Sequence, residues 1–198
     1  MQEGVTKIVS FGALSLYADT DDEHYGTLSW SIRKGYPRIT VYTDNSSDKK
    51  GEFSYDKLIT APMDSVVVNI VLDRLLESID GEPGTKNATE CYNVKYVDNK
   101  PTDEIYLQAT IISGKDANGV VYLGAIQEGK KRVKFELLPR DKWHKFKTGD
   151  TQITDRAKLS VMFAKAYHAR LKALMDKHLA DEATIKEQLP RDANVTTL

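Results

Sequence analysis

The chain has 198 residues, of which 40% are hydrophobic and 29% charged, and its formal net charge is −1. That balance fits a folded chain with a real core. It excludes a uniformly basic polyanion binder, so any basic site has to be a local patch. Cys91 is the only cysteine, which excludes an intramolecular disulfide and any multi-cysteine zinc site. Met1 to Ser10 lacks a basic segment followed by an apolar run, so no secretory signal is expected. The most apolar stretch, Ser65 to Leu72, ends at Asp73-Arg74, far short of the roughly 18 residues of a membrane span. The expectation is a reducing, cytoplasmic setting with no membrane partner; on that ground the Asn-x-Ser/Thr triplets at Asn45, Asn87 and Asn194 are read as chance.

In chain order, Lys7 to Tyr17 reads as β-like, and Asp19 to His24 as a solvated acidic turn rather than a metal loop, which would need spaced ligands and a glycine hinge. From Gly26 to Thr43 the pattern is a β-hairpin. Leu28, Trp30 and Ile32 alternate with Ser29, Ser31 and Arg33; Lys34 to Pro37 turn; Ile39 and Val41 alternate with Arg38, Thr40 and Tyr42. One face is apolar, and the other carries hydroxyls, two arginines and a tyrosine. A short strand is expected at Glu52 to Leu58. A helix is expected from about Pro62, placed in its first turn, to Ile79, with a stripe of Met63, Val66, Val67, Ile70, Val71, Leu75 and Ile79. Gly81 to Gly84 ends it.

The second half predicts a strand through Tyr92, Val94 and Tyr96, a break at Asp98 to Pro101, and a strand over Ile105 to Ser113. Asn118-Gly119 predicts a type I′ hairpin turn, with positive φ at both residues. Val120 to Ile126 returns, Glu128 to Lys130 turns, and Arg132 to Leu138 forms a fourth strand. Pro139 to Trp143 suggests one helical turn, and a long helix spans about Thr154 to Gln188 with a stripe of Leu159, Met162, Phe163, Ala166, Tyr167, Leu171 and Leu174. The order is four strands and a helix, twice, with thin residue identity between the halves: Phe53 matches Phe135, and Ala61 to Asp64 parallels Leu138 to Asp141. The fold class expected is α+β with antiparallel sheets and a long C-terminal helix. Residues 1–80 form the first unit, 88–188 the second, and 189–198 a flexible tail.

No enzyme motif is present. There is no Gly-x-Gly-x-x-Gly and no glycine loop ending in Lys-Ser or Lys-Thr; His24, His144, His168 and His178 show no metal-ligand spacing. Cys91 reads as a small buried residue. No cofactor and no metal are expected. The positive signal is basic. Lys115 to Lys147 holds nine lysines and arginines against four acidic residues, so this window carries +5 in a nearly neutral chain. Arg33, Lys34, Arg38, Lys115, Lys130, Lys131, Arg132 and Lys134 are candidate phosphate holders; Tyr36, Tyr42, Tyr106 and Tyr122 are candidate base-stacking rings. Trp30 shares parity with Leu28 and Ile32 and is assigned to the core. Composition alone leaves a second reading equally open, a β-sheet whose lysine-rich edges prevent aggregation.

Gly114 to Trp143 tips that balance. The segment resembles the core of the positive-cofactor-four family of single-stranded-DNA-binding transcription coactivators. Lys130-Lys131 match the family's basic turn, Phe135-Glu136-Leu137 its short strand, and Pro139 to Trp143 its helix entry; Arg132 stands where the family has glycine, and Gly149-Asp150 interrupts the path to the long helix. The doubled order of elements is similar to the Whirly relatives, in which two such units are fused in one domain, and a compact version is similar to phage-encoded members. The resemblance implies single-stranded DNA binding without sequence preference in replication, recombination or transcription, in the host cytoplasm if phage-encoded, and assembly as a homo-oligomer through the long helix. Two alternatives stand beside it: single-stranded RNA binding, since nothing identifiable reads a 2′-hydroxyl, and a scaffolding protein that assembles through the long helix.

Overall fold

A computed structural model describes residues 8–19, 24–33, 35–46, 57–98, 100–140 and 144–187. Their order is β1 (Ile8–Ser10), a 3-10 turn (Gly12–Leu14), β2 (Leu16–Asp19), β3 (His24–Arg33), β4 (Tyr36–Ser46), β5 (Leu58–Pro62), α1 (Ser65–Asp80), β6 (Lys86–Val97), β7 (Lys100–Lys115), β8 (Val121–Ile126), β9 (Phe135–Glu136), β10 (Lys147–Thr148), β11 (Thr151–Gln152) and α2 (Arg156–Glu187). The class is α+β with antiparallel sheets and a C-terminal helix. In the first sheet β1 and β2 share one edge of β3, and β4 and β5 follow; the second runs β6-β7-β8-β9, and β10 and β11 form a small separate hairpin. Among the described residues, the first half therefore places five strands before its helix and the second half six, rather than four each.

The alternation read over Gly26 to Thr43 sets the first sheet. Leu28, Trp30, Ile32, Ile39 and Val41 are buried on one face, while Thr27, Ser29, Ser31, Arg33, Tyr36, Arg38, Thr40 and Tyr42 lie on the other. The buried face meets the inner face of the second sheet (Ala109, Ile111, Val121, Leu123) and both helices in one contiguous core. Trp30 stands at the junction. Its indole Nε1 donates to the Tyr167 hydroxyl of α2 at 3.0 Å, and that hydroxyl donates in turn to the Leu14 carbonyl at 3.1 Å. A second polar link, in which Ser78 and Ser113 pair at 2.9 Å and Ser113 donates to the Arg74 carbonyl, fastens α1 to β7.

Several boundaries differ from the sequence reading. Pro62 is the last residue of β5 rather than part of a helical turn, and α1 starts after Asp64. The Asp64 carboxylate accepts from the backbone N–H groups of Val66 and Val67, each at 2.8 Å, which satisfies two donors that the helix cannot. Asp64→Ala is expected to lower stability by about 1 kcal/mol, read as a shifted denaturation midpoint with an unchanged slope. The α1 stripe is rotated: Val68, Val71, Leu72, Leu75 and Ile79 are buried, while Val66 and Ile70 face outward. In α2 the buried line is Ser160, Ala164, Tyr167, Leu171 and Met175, and Met162 and Ala166 are exposed. Of the expected stripe, Tyr167 and Leu171 are buried, Leu159, Phe163 and Leu174 are half-buried, and Met162 and Ala166 face outward.

Turn chemistry also differs. Among the described residues only Asp98 combines a side chain with positive φ, so Asn118 does not adopt the type I′ geometry; Gly119 alone does, at φ 78°. The loop is held by Asp116, whose carboxylate accepts from the N–H groups of Asn118 and Val120. Between Asp98 and Pro101 the chain reverses tightly, with Val97 paired to Lys100, so β6 and β7 form one long hairpin. The fourth strand is only Phe135–Glu136. Pro139 and Arg140 lie outside any helix, and Asp141 to Trp143, like most of the expected strand at Glu52 to Leu58, lies outside the described residues. No described helix is long and apolar enough to cross a membrane.

Candidate nucleic-acid interface

The segment from Gln127 to Arg140 is one of the places where the two halves meet. It turns at Gly129 (φ 74°), where the Lys130 N–H donates to the Gln127 carbonyl. It then alternates strictly: Val133, Phe135 and Leu137 are buried, so Arg132 and Lys134 point outward. Gly26 of β3 lets it approach, since a Cβ there would meet Val133 at 3.0 Å and Phe135 at 3.3 Å. The segment thereby spans the first sheet, from Lys130, which donates to the Leu58 carbonyl of β5 at 2.5 Å, to Arg140, which lies 4.4 Å from the ring centre of Tyr17 on β2.

Here an open groove of about 520 Å³ is lined by Lys131, Arg132, Lys134, Arg140 and Tyr17, with Glu136 as the carboxylate that the described residues place in its wall. Tyr17 pairs across β2 and β3 with Thr27, and its ring centre is 6.1 Å from that of Tyr25. The groove therefore joins the outer face of the first sheet through two tyrosines. That face continues along β3 and β4 past Tyr42, Arg38 and Tyr36 to Arg33, about 20 Å at strand spacing. Arg38 is half-buried; desolvation, with a smaller repulsion from Arg33, lowers its pKa, but a guanidinium stays charged. Its Nε has no hydrogen-bond partner among the described residues.

The expected site residues fall into three groups. Arg33, Tyr36, Arg38 and Tyr42 share the outer face of the first sheet, and Lys131, Arg132 and Lys134 share the groove. Lys34 lies outside the described residues. Lys115 and Lys130 are tied to backbone: the Lys115 amine donates to the Gly81 carbonyl just past the end of α1 at 2.5 Å, as Lys130 does to Leu58. Tyr122 lies beside Lys134, whose amine is 5.6 Å from its ring centre, and the absence of a side chain at Gly114 makes room for its hydroxyl end. Tyr106 is apart from all of these, on the exposed hairpin of β6 and β7.

Lys134 also bridges Asp116 at 3.0 Å and Glu136 at 3.1 Å, and Glu136 pairs with Arg156. Partial burial disfavours the Lys134 charge, but the two carboxylates outweigh it and raise its pKa. Burial likewise opposes the Asp116 charge, yet the Val120 N–H and Lys134 hold that carboxyl below its usual range. Tyr17, Tyr25 and Arg140 were not among the expected site residues. Arg140 was visible in the basic window, and Tyr17 sits at opposite parity to the buried Leu16; only the packing of the Gln127 to Arg140 segment against β2 brings the two together.

Other chemistry is sparse. No group of three or more metal-ligating side chains occurs among the described residues. Cys91 is buried, which pushes its thiol up to about 11 and keeps it protonated. Burial lowers the pKa of His168, the main effect, against an opposing pull from Asp73. Neither a family model, nor a curated protein, nor a solved structure matches the chain.

Proposed function

We propose that this chain is a non-enzymatic protein that binds single-stranded nucleic acid. More particularly, we propose a single-stranded-DNA-binding protein of the Whirly kind, which coats or organises DNA in replication, recombination or transcription and is phage-encoded. The observation that carries the first step is the convergence of Lys131, Arg132, Lys134 and Arg140 with Tyr17 on one open groove continuous with a tyrosine- and arginine-bearing sheet face. Cations hold phosphates without reading sequence, and flat rings stack on unpaired bases of any identity. A duplex hides its base faces, so this combination favours a single strand.

Supporting the second step are the resemblance over Gly114 to Trp143 and the presence of two antiparallel sheets, each followed in sequence by a helix packed into the shared core. The contacts fall on Arg33, Arg38, Lys131, Arg132 and Arg140, with Tyr17, Tyr25, Tyr36 and Tyr42 as stacking rings. Lys115 and Lys130 hold the scaffold in place.

The test is fluorescence anisotropy of a labelled single strand of about 30 nucleotides, several site lengths of known single-strand binders, titrated at several salt concentrations. The matching duplex and an RNA strand run in parallel. Tight binding to the single DNA strand that weakens steeply with salt and exceeds duplex binding is the expected result. Equal affinity for duplex removes the stacking argument, preference for RNA reassigns the substrate, and no binding at low salt ends the proposal.

A further inference from the structure

Beyond the point where β8 stops, the hairpin of β6 and β7 has no neighbour in its sheet. β8 pairs only with Thr110–Lys115, so Lys100–Ala109 is flanked by β6 alone, and β6 is itself the edge strand. The burial pattern changes at that boundary. From Gln108 to Ser113 inward and outward residues alternate, whereas Asp103 to Leu107 are five exposed residues in succession. Both faces of this ribbon are therefore uncovered.

The two faces differ in chemistry. Tyr92 pairs with Leu107 and Val94 with Ile105, which sets four largely apolar side chains together on one face; past a register shift after Val94, Tyr96 stands opposite Pro101 nearer the tip. The reverse face carries Asn93, Tyr106 and the Lys95–Glu104 ion pair. On the apolar face Tyr92, Tyr96, Ile105 and Leu107 are between 46% and 68% exposed. A two-stranded hairpin is marginal in water by itself, and contiguous apolar patches of this kind mark interaction surfaces.

We infer that the apolar face of this arm packs against the same face of a second copy of the chain, making a two-fold dimer. Three observations favour a second copy over nucleic acid or a foreign protein. The exposed surface of these side chains amounts to roughly 500 Å² per chain, so two faces together remove about 1,000 Å², the size at which a specific interface begins. A two-fold contact is self-complementary by construction. The charges along the ribbon as a whole are also of both signs, with Lys95 and Lys100 against Glu90, Asp98, Asp103 and Glu104, and they leave no excess of positive charge to hold a polyanion.

The inference does not rest on the proposed nucleic-acid site, and its test uses protein alone. Sedimentation equilibrium of the full chain, over a wide concentration range, is expected to give twice the 22.3 kDa chain mass. Tyr96→Asp with Ile105→Asp is expected to return the mass to a single chain that still unfolds cooperatively, with a melting temperature that no longer depends on protein concentration, since both residues are exposed in the single chain. Tyr106→Asp, on the reverse face, is expected to leave the doubled mass intact. A wild-type chain that stays monomeric overturns the inference, and so does a dimer that survives the paired aspartates.

Discussion

Trp30→Ala is expected to cost about 3–5 kcal/mol of folding stability, the range for truncating a fully buried aromatic side chain. Trp30 is fully buried where the first sheet, the 3-10 turn and α2 meet, and its indole N–H is spent on Tyr167. Truncation opens a cavity beneath three elements and leaves the Tyr167 hydroxyl with its bond to Leu14 alone. Against a total of about 5–15 kcal/mol for a domain, the loss is at least about a fifth. Chemical denaturation followed by far-UV circular dichroism measures it. Trp30→Phe isolates the polar part: the ring is largely kept, the N–H is lost, and the expected cost falls to about 1–2 kcal/mol. Near-equal costs for the two variants would show that the hydrogen bond rather than the packing dominates. No change in either would contradict the place of Trp30 in the core.

Removing the groove's cations is expected to act on binding and leave the fold intact. Lys131→Ala, Arg132→Ala and Arg140→Ala together should weaken single-strand binding on the order of 10- to 100-fold at low salt. They should also flatten the log–log salt dependence by about 2, since each phosphate contact on a single strand contributes about 0.7 to the slope. Tyr17→Ala should behave differently: a loss of about 1–3 kcal/mol for one stacked base, with the salt slope unchanged. Lys115→Ala serves as the contrast, because its amine serves the Gly81 carbonyl; it should lower the melting temperature and leave affinity alone. A triple variant that binds like wild type would remove the groove from the interface and leave the arginines of the first sheet as the remaining site.

Much of the fold was legible in the residues because it rests on local pattern. The alternation of Leu28, Trp30 and Ile32 with Ser29, Ser31 and Arg33 is the alternation of the sheet, and it correctly assigned Trp30 to the inside. Helix position was read well and helix phase poorly. Residues such as Val66, Val67 and Val68 are equally apolar, so periodicity cannot choose among stripes one residue apart; contact with the sheets chose Val68 and Val71. Pro62 was misplaced for a similar reason, because proline suits a strand end as well as a first helical turn. The carboxylate two residues later marks the true start.

The candidate site divides along the same line. The basic window and the parity of Arg132 and Lys134 could be read from spacing, since neighbours in sequence are neighbours on a strand. What spacing could not supply was the use of each cation: the amines of Lys115 and Lys130 end on backbone carbonyls of Gly81 and Leu58, and that of Lys134 on the carboxylates of Asp116 and Glu136. Nor could it show that Tyr92, Val94 and Tyr96, an ordinary half-buried strand by pattern, run on past the last strand able to cover them. By itself the sequence determined which residues share a face, because side-chain direction follows from backbone periodicity. Only the tertiary structure decided what each face meets, because Tyr17 and Arg140 are brought within 4.4 Å by the packing of one sheet's end against the other.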